Sequence, residues 1–294
     1  MNKLVCLIAL VSINVATEAA VLYSDNFETP VPGPLPSNSV TNWLDTSKDA
    51  NPIGPVGQNW VVQEDNIYNL QVARLTQNLS GSPWGGNSGP TWAPSATGGL
   101  QYLEMYTGPN GISQAWAPLS AVNQAVIATN GILHLGVEVF GLSGHDGWHS
   151  NLRIAGFNSA ATAGTNPAFD VQLVEGGSFL DGSVKYVDGT GTHTIAGLTN
   201  KVNQWQTLAI DADFNTDTFS LNLDGNTVAG LTWAGGDLST IQSVVLEVIS
   251  PTYPDNSFYR GGFDNFELSS VPEPSVMALL GLSGLVLWRR RGIR

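Results

Sequence analysis

Residues 203–230 read NQWQTLAIDADFNTDTFSLNLDGNTVAG. A strand carrying Trp205, Leu208 and Ile210 turns through Asp213-Phe-Asn-Thr-Asp217 and returns with Phe219, Leu221 and Leu223 at alternate positions. Alternation of this kind places successive side chains on opposite faces of a half-buried strand. Asp224-Gly225 then makes a tight turn into Thr227 and Val228, because Asp-Gly tolerates the positive φ angles of a two-residue hairpin. This stretch is a β-meander.

The same period runs through the rest of the chain. Residues 131–141 put Leu133, Leu135, Val137 and Val139 on one face and His134 and Glu138 on the other. Leu103 and Met105 oppose Tyr102, Glu104 and Tyr106. Val244, Leu246 and Val248 oppose Val245, Glu247 and Ile249, and Phe169, Val171 and Leu173 oppose Asp170 and Gln172. No amphipathic helix is evident, and the turns are rich in Gly, Pro, Asn and Asp, the pattern of an all-β sandwich or barrel. Tyr23-Ser-Asp-Asn-Phe-Glu28 opens this body, and Phe263-Asp-Asn-Phe-Glu267 nearly closes it. The shared Asp-Asn-Phe-Glu marks a strand at each end of the body. The Pro-rich stretches 30–36 and 50–56, and the Gly/Ser/Pro/Trp stretch 80–99, read as long loops within one domain.

The Trp-to-Asp-Gly hairpin resembles the laminin G-like and concanavalin-like jelly-roll superfamily, in which the first and last strands commonly lie side by side, and the resemblance implies that the two Asp-Asn-Phe-Glu segments are such strands. That resemblance implies a two-sheet antiparallel sandwich. The hydrolase branch of that superfamily carries its carboxylates as E-x-D-x-x-E on one strand, and Val137-Glu-Val-Phe-Gly141 holds only Glu138.

The two ends differ from the body. Lys3, the apolar run Leu4–Val11 and the small residues of Ala16-Thr-Glu-Ala-Ala20 predict a signal peptide over 1–20, cleaved near Ala19 or Ala20. At the other end, Val276 to Trp288 contains only Ser283 as a polar residue, and Arg289, Arg290, Arg291 and Arg294 follow. As a helix the run is about 20 Å long, short of the bilayer's roughly 30 Å hydrocarbon core. The arginines would hold its end on the cytoplasmic side. With Pro272, Glu273 and Pro274 ahead of it, segment 271–294 resembles the PEP-CTERM sorting signal of Gram-negative bacteria. That resemblance implies an exosortase-type membrane protease as partner and a transient inner-membrane anchor. It also implies a destination at the cell surface or outside the cell, in association with extracellular polysaccharide. The predicted body is 21–270, with Ser269 and Ser270 as a short linker.

Removing both ends leaves no cysteine, so stability rests on a core rather than on disulfides. The body holds six basic residues against twenty-two carboxylates, a net charge of −16. Such a field repels nucleic acid and anionic lipid. There is no P-loop, dinucleotide fingerprint or G-x-S-x-G elbow.

Four sets of residues carry candidate chemistry. Trp84 and Trp92, with Tyr102, Tyr106 and His134, would line a sugar groove of stacked rings and polar contacts. The alternative for the two tryptophans is burial as loop anchors, and Trp43, Trp60, Trp116, Trp205 and Trp233 are expected to pack inside. Glu104 and Glu138 would be the carboxylates of a glycoside hydrolase or polysaccharide lyase, and Glu247 could meet them on one outer face. Asp25 and Asp264 are candidate ligands of a structural calcium; Asp211, Asp213, Asn215 and Asp217 resemble the opening of a calcium loop but lack its Gly and Glu. His145, Asp146 and His149 have two histidines without helical register, a weak zinc pattern. The readings that emerge are a non-catalytic carbohydrate-interacting sandwich, a secreted polysaccharide-active enzyme, or a matrix protein without ligand.

Overall fold

The computed structural model describes residues 19–27, 42–43, 60–65, 73–76, 102–107, 112–143, 148–160, 167–177, 180–250 and 258–272. The early strands are β1 (Ala20–Asp25), β2 (Asn42–Trp43), β3 (Val61–Asp65), β4 (Ala73–Thr76), β5 (Tyr102–Thr107) and β6 (Ile112–Pro118). Helix α1 (Ala121–Asn130) leads into β7 (Gly131–Gly141), followed by β8 (Trp148–His149), β9 (Asn151–Phe157) and β10 (Pro167–Gly176). Next come β11 (Leu180–Asp188), β12 (Gly191–Asn200), β13 (Trp205–Asp213), β14 (Thr218–Leu223) and β15 (Asn226–Thr232). The last two are β16 (Ser243–Ile249) and β17 (Phe258–Pro272).

These strands form two sheets. One runs β15-β14-β13-β7-β17-β5-β4-β2, with β1 and β8 also paired to β17; the other runs β12-β11-β10-β9-β16-β6-β3. Leu133, Leu135, Val137 and Val139 of the first sheet and Leu152, Ile154, Val171, Leu173, Val244 and Leu246 of the second are 0–2% exposed in a shared core. Each buried aliphatic side chain contributes about 1.5–3 kcal/mol relative to exposure. The all-β sandwich is thus the fold, and the alternation read from sequence assigns the core faces correctly.

The Asp-Gly turn has φ 51° at Asp224 and 83° at Gly225, the two positive angles of a hairpin that follows the strand twist. The two Asp-Asn-Phe-Glu segments do come together. β1 pairs antiparallel with the second half of β17, Asp25 opposite Phe266, while β5 pairs with the first half.

Two features depart from the sequence expectation. Helix α1 was not evident, because Ile127 is its one buried residue and no apolar stripe marks it. Its ends are nonetheless signalled: Ser120 accepts a hydrogen bond from the Asn123 amide, and Gly131 closes it at φ 78°. Ser269 and Ser270 are not linker. β17 continues through them to Pro272, pairing Ser270 with Leu133 and Pro272 with Gly131. Ser270 is 0% exposed, and its hydroxyl donates to Ile132 O and accepts from Asn130 Nδ2, which explains a buried serine near the end of the strand. The expected signal helix, the apolar C-terminal helix and the three long loops lie outside the described residues. No helix among the described residues is long and apolar enough to cross a membrane.

Candidate functional site on the outer faces

Register sets residues of the ten-stranded sheet in rows. Arg74 on β4 pairs with Glu104 on β5, Glu104 with Gly262 on β17, Gly262 with Phe140 on β7, and Phe140 with Trp205 on β13. The next row sets Glu138 between Asp264 and Thr207. Aromatic rings occupy this face. Tyr102 meets Trp205 edge-on, with centroids 5.3 Å apart, and Phe140 meets Trp205 at 5.3 Å, separations favourable for ring contacts. Gly262 makes the arrangement possible. A Cβ there would lie 3.0 Å from the Tyr102 ring and 3.3 Å from Trp205, so a glycine in mid-strand lets both rings lie over the backbone.

Trp205 is half-buried on this outer face, not inside as expected, while Trp60, Trp116 and Trp233 are buried. Tyr102 keeps the predicted outward side of β5 but is 3% exposed because other side chains cover it. Beside the rings, Glu138 Oε2 accepts a hydrogen bond from Asn265 Nδ2 at 2.9 Å. Asn265 sits at φ 48° in a bulge between Asp264 and Glu267, and such bulges re-aim side chains. Glu104 and Glu138 therefore share one face, with β17 between their strands. Glu247 does not join them, because β16 belongs to the other sheet. The side chains of Glu104 and Tyr106 lie outside the described residues, as do Trp84, Trp92, Glu273, Pro274, Arg289, Arg290 and Arg291.

His134 stands on the same face, two rows along. Its Nδ1 lies 2.6 Å from Asp211 Oδ1, with the side chains 38% and 55% exposed. The Asp211 hydrogen bond raises the imidazole pKa and, reciprocally, the His134 bond lowers that of Asp211. Ser220 donates to the other Asp211 oxygen at 3.4 Å.

Of the candidate calcium residues, Asp25, Asp264 and Asp213 each accept a hydrogen bond from a nearby backbone amide. Asp25 is 4% exposed, and its two oxygens accept from the Phe27 amide at 2.7 Å and Trp60 Nε1 at 2.9 Å. Burial raises its pKa against those two bonds. Asp25 pairs with Phe266, two positions from Asp264, whose Oδ1 accepts from the Asn265 amide. Asp213 accepts from the Asn215 amide, the local bond by which Asp shapes a turn. Among the described residues no three His, Cys, Asp or Glu side chains gather as a metal would require. His149 Nδ1 lies 2.9 Å from Glu175 Oε1; His145 and Asp146 lie outside the described residues.

The outer face of the seven-stranded sheet holds a cluster that sequence reasoning missed. Arg153 on β9 donates from Nε and Nη2 to Asp170 on β10, at 2.9 and 2.7 Å, and from Nη1 to Glu247 on β16 at 2.9 Å. Gln114 donates to Glu247, and Trp116 Nε1 donates to Gln114. Phe157 lies under the guanidinium at 5.4 Å. Glu247 is 1% exposed, not solvent-facing as expected. Burial works against the Arg153 charge, but Asp170 and Glu247 outweigh it and raise the pKa. Burial also raises that of Glu247, in spite of Arg153. The available signal was an outward arginine in Asn-Leu-Arg-Ile-Ala-Gly-Phe, one of only six basic residues in the body.

Residues 270–291 match the PEP-CTERM protein-sorting motif, which indicates export and membrane-associated sorting. No curated protein sequence matches the chain. Among solved structures, it resembles a sialidase with TM-score 0.43 and 12% identity over 58% of this chain and 15% of that one. It also resembles a carbohydrate esterase from the Shiga toxin-encoding bacteriophage phi24B, with TM-score 0.44 and 13% identity over 72% of this chain and 89% of that one. A third is botulinum neurotoxin type C, whose cell entry depends on two ganglioside molecules, with TM-score 0.45 and 9% identity over 90% of this chain and 51% of that one. Likenesses this distant assign no ligand to the present chain.

Proposed function

We propose that the exported body is a non-catalytic, carbohydrate-interacting sandwich at the cell surface, delivered there after an exosortase-type protease acts on the tail. In this reading a sugar ring stacks on Trp205, held in place by Tyr102 and Phe140, while Glu138 and Asn265 take hydroxyl groups and Thr207 borders the site. Tyr106, His134, Trp84 and Trp92 extend the contact. The observation that supports it is the outward aromatic cluster over Gly262, next to a paired carboxylate and amide. Largely apolar sites with a few placed polar groups are what sugars require.

The test is a glycan array probed with the full chain in detergent, with and without calcium. Trp205→Ala is expected to weaken binding about tenfold, a loss of about 1.4 kcal/mol. Unchanged binding would remove the platform from the account. A second reading follows from Glu104 and Glu138 sharing this face. If they span a glycosidic bond, sugar release will accompany binding and stop in Glu138→Gln.

A further inference from the structure

Four large aliphatic side chains are exposed among the described residues: Val21 (59%), Val122 (71%), Leu180 (64%) and Val271 (37%). Three of the four gather at one end of the sandwich. Val21 pairs with Ser269, two residues before Val271 on β17. Val122 adjoins Asn123, whose Nδ2 donates to Leu22 O at 2.8 Å, so the start of α1 rests on the start of β1. Helix α1, AVNQAVIATN, carries no charged residue, although the body around it has net charge −16. Carboxylates border this end on the sheet side. Glu267 lies two residues before Ser269, the partner of Val21. Asp213 pairs with Ile132, which pairs with Val271 on the side of Gly131, away from Val122.

The same end is where the sorting segment leaves the fold. Ser270 is fully buried and held by two hydrogen bonds, and the apolar run begins six residues later at Val276. Six extended residues span no more than about 20 Å. If that run sits in a bilayer, the end of the body bearing the three valines is held against the lipid surface. We propose that the start of β1, the end of β17 and the first turns of α1 form a lipid-facing surface. It seats the sandwich on the bilayer in one orientation while the tail is in place. The proposal rests on the membrane reading of 271–294. An acidic body is repelled by anionic headgroups, so the uncharged helix with the exposed valines beside it is the part that can approach, its apolar groups entering the interface as those of peripheral proteins do.

The proposal is tested with the full chain inserted into phosphatidylethanolamine–phosphatidylglycerol vesicles. An environment-sensitive fluorophore is placed in turn at Val122→Cys, Leu180→Cys and Ser283→Cys, in a Cys6→Ser background. Leu180 is the control: it is equally exposed but follows Gly176, at the end of the seven-stranded sheet away from Pro118 and α1. The expected result is that a lipid-borne quencher dims the Val122 label severalfold more than the Leu180 label, and aqueous iodide does the reverse. If Ser283 is quenched from the lipid while Val122 stays iodide-accessible, the lipid-facing surface is overturned and the membrane reading of the tail stands. If Val122 is shielded from both quenchers, protein covers it and the proposal is again overturned. If Ser283 itself escapes the lipid quencher, the tail reading falls first and the proposal with it.

Discussion

The two outer faces of the sandwich use the same residue types to different ends. On the seven-stranded sheet, Arg153, Asp170 and Glu247 are nearly buried, joined by three short hydrogen bonds and floored by Phe157. On the ten-stranded sheet, His134 and Asp211 make a shorter contact but stand in water. A buried charge that loses its partner is left uncompensated, whereas an exposed one is rehydrated. The contrast separates a face whose ion pair is closed off from water from a face whose ion pair is open to it, though both look like alternating polar positions in sequence.

The largest expected effect breaks the closed face. Arg153→Met leaves two carboxylates buried without a counter-charge and should lower unfolding free energy by about 3–5 kcal/mol, read from urea denaturation. Glu247→Gln should cost far less, since burial already disfavours the Glu247 charge and Arg153 keeps Asp170. Equal losses in the two variants would contradict a cluster centred on the arginine.

Next comes the anchor where β1 joins β17. Asp25→Ala strips Trp60 Nε1 and the Phe27 amide of their acceptor, at about 1–3 kcal/mol for buried donors left unpaired. Thermal unfolding, with the indole environment followed by fluorescence, checks it.

On the open face, Gly262→Val should cost about 1–3 kcal/mol as overpacking against Tyr102 and Trp205 and should weaken sugar binding more than Trp205→Phe. An unchanged Trp205 emission spectrum would contradict the contact.

The smallest effect belongs to Asp211→Asn. His134 has a folded pKa raised by Asp211. The pair's contribution is therefore fully present below the unfolded histidine value of about 6.5 and lost as pH rises through the higher folded value. For so exposed a pair it amounts to less than about 1 kcal/mol. An NMR titration of His134 should show its pKa fall in Asp211→Asn, with the stability difference confined to acidic and neutral pH.

Much of the fold was legible because alternation is a local signal. Leu133 to Val139, Val244 to Val248 and the Asp224-Gly225 turn needed only neighbours in sequence, and the repeated Asp-Asn-Phe-Glu foretold the pairing of β1 with β17. The site was less legible. Alternation says that Glu247 and Glu138 point away from the core, but not that they belong to different sheets, nor that Arg153 arrives from β9 to bury one of them. Trp205 was misread because residue type favours burial, while its outward place follows from the register that sets it opposite Phe140. Helix α1 escaped because a helix burying one side chain leaves almost no periodic trace.

The continuity of β17 has a mechanical consequence. This strand carries the tail and runs through the first sheet for fifteen residues, flanked by β7 on one side and by β5 and then β1 on the other. Tension between a tethered tail and a body gripped by its surroundings acts along the strand axis, at right angles to the antiparallel rungs. The rungs must then slide together instead of peeling one at a time, so the sandwich resists pulling best in the direction its own tether would pull.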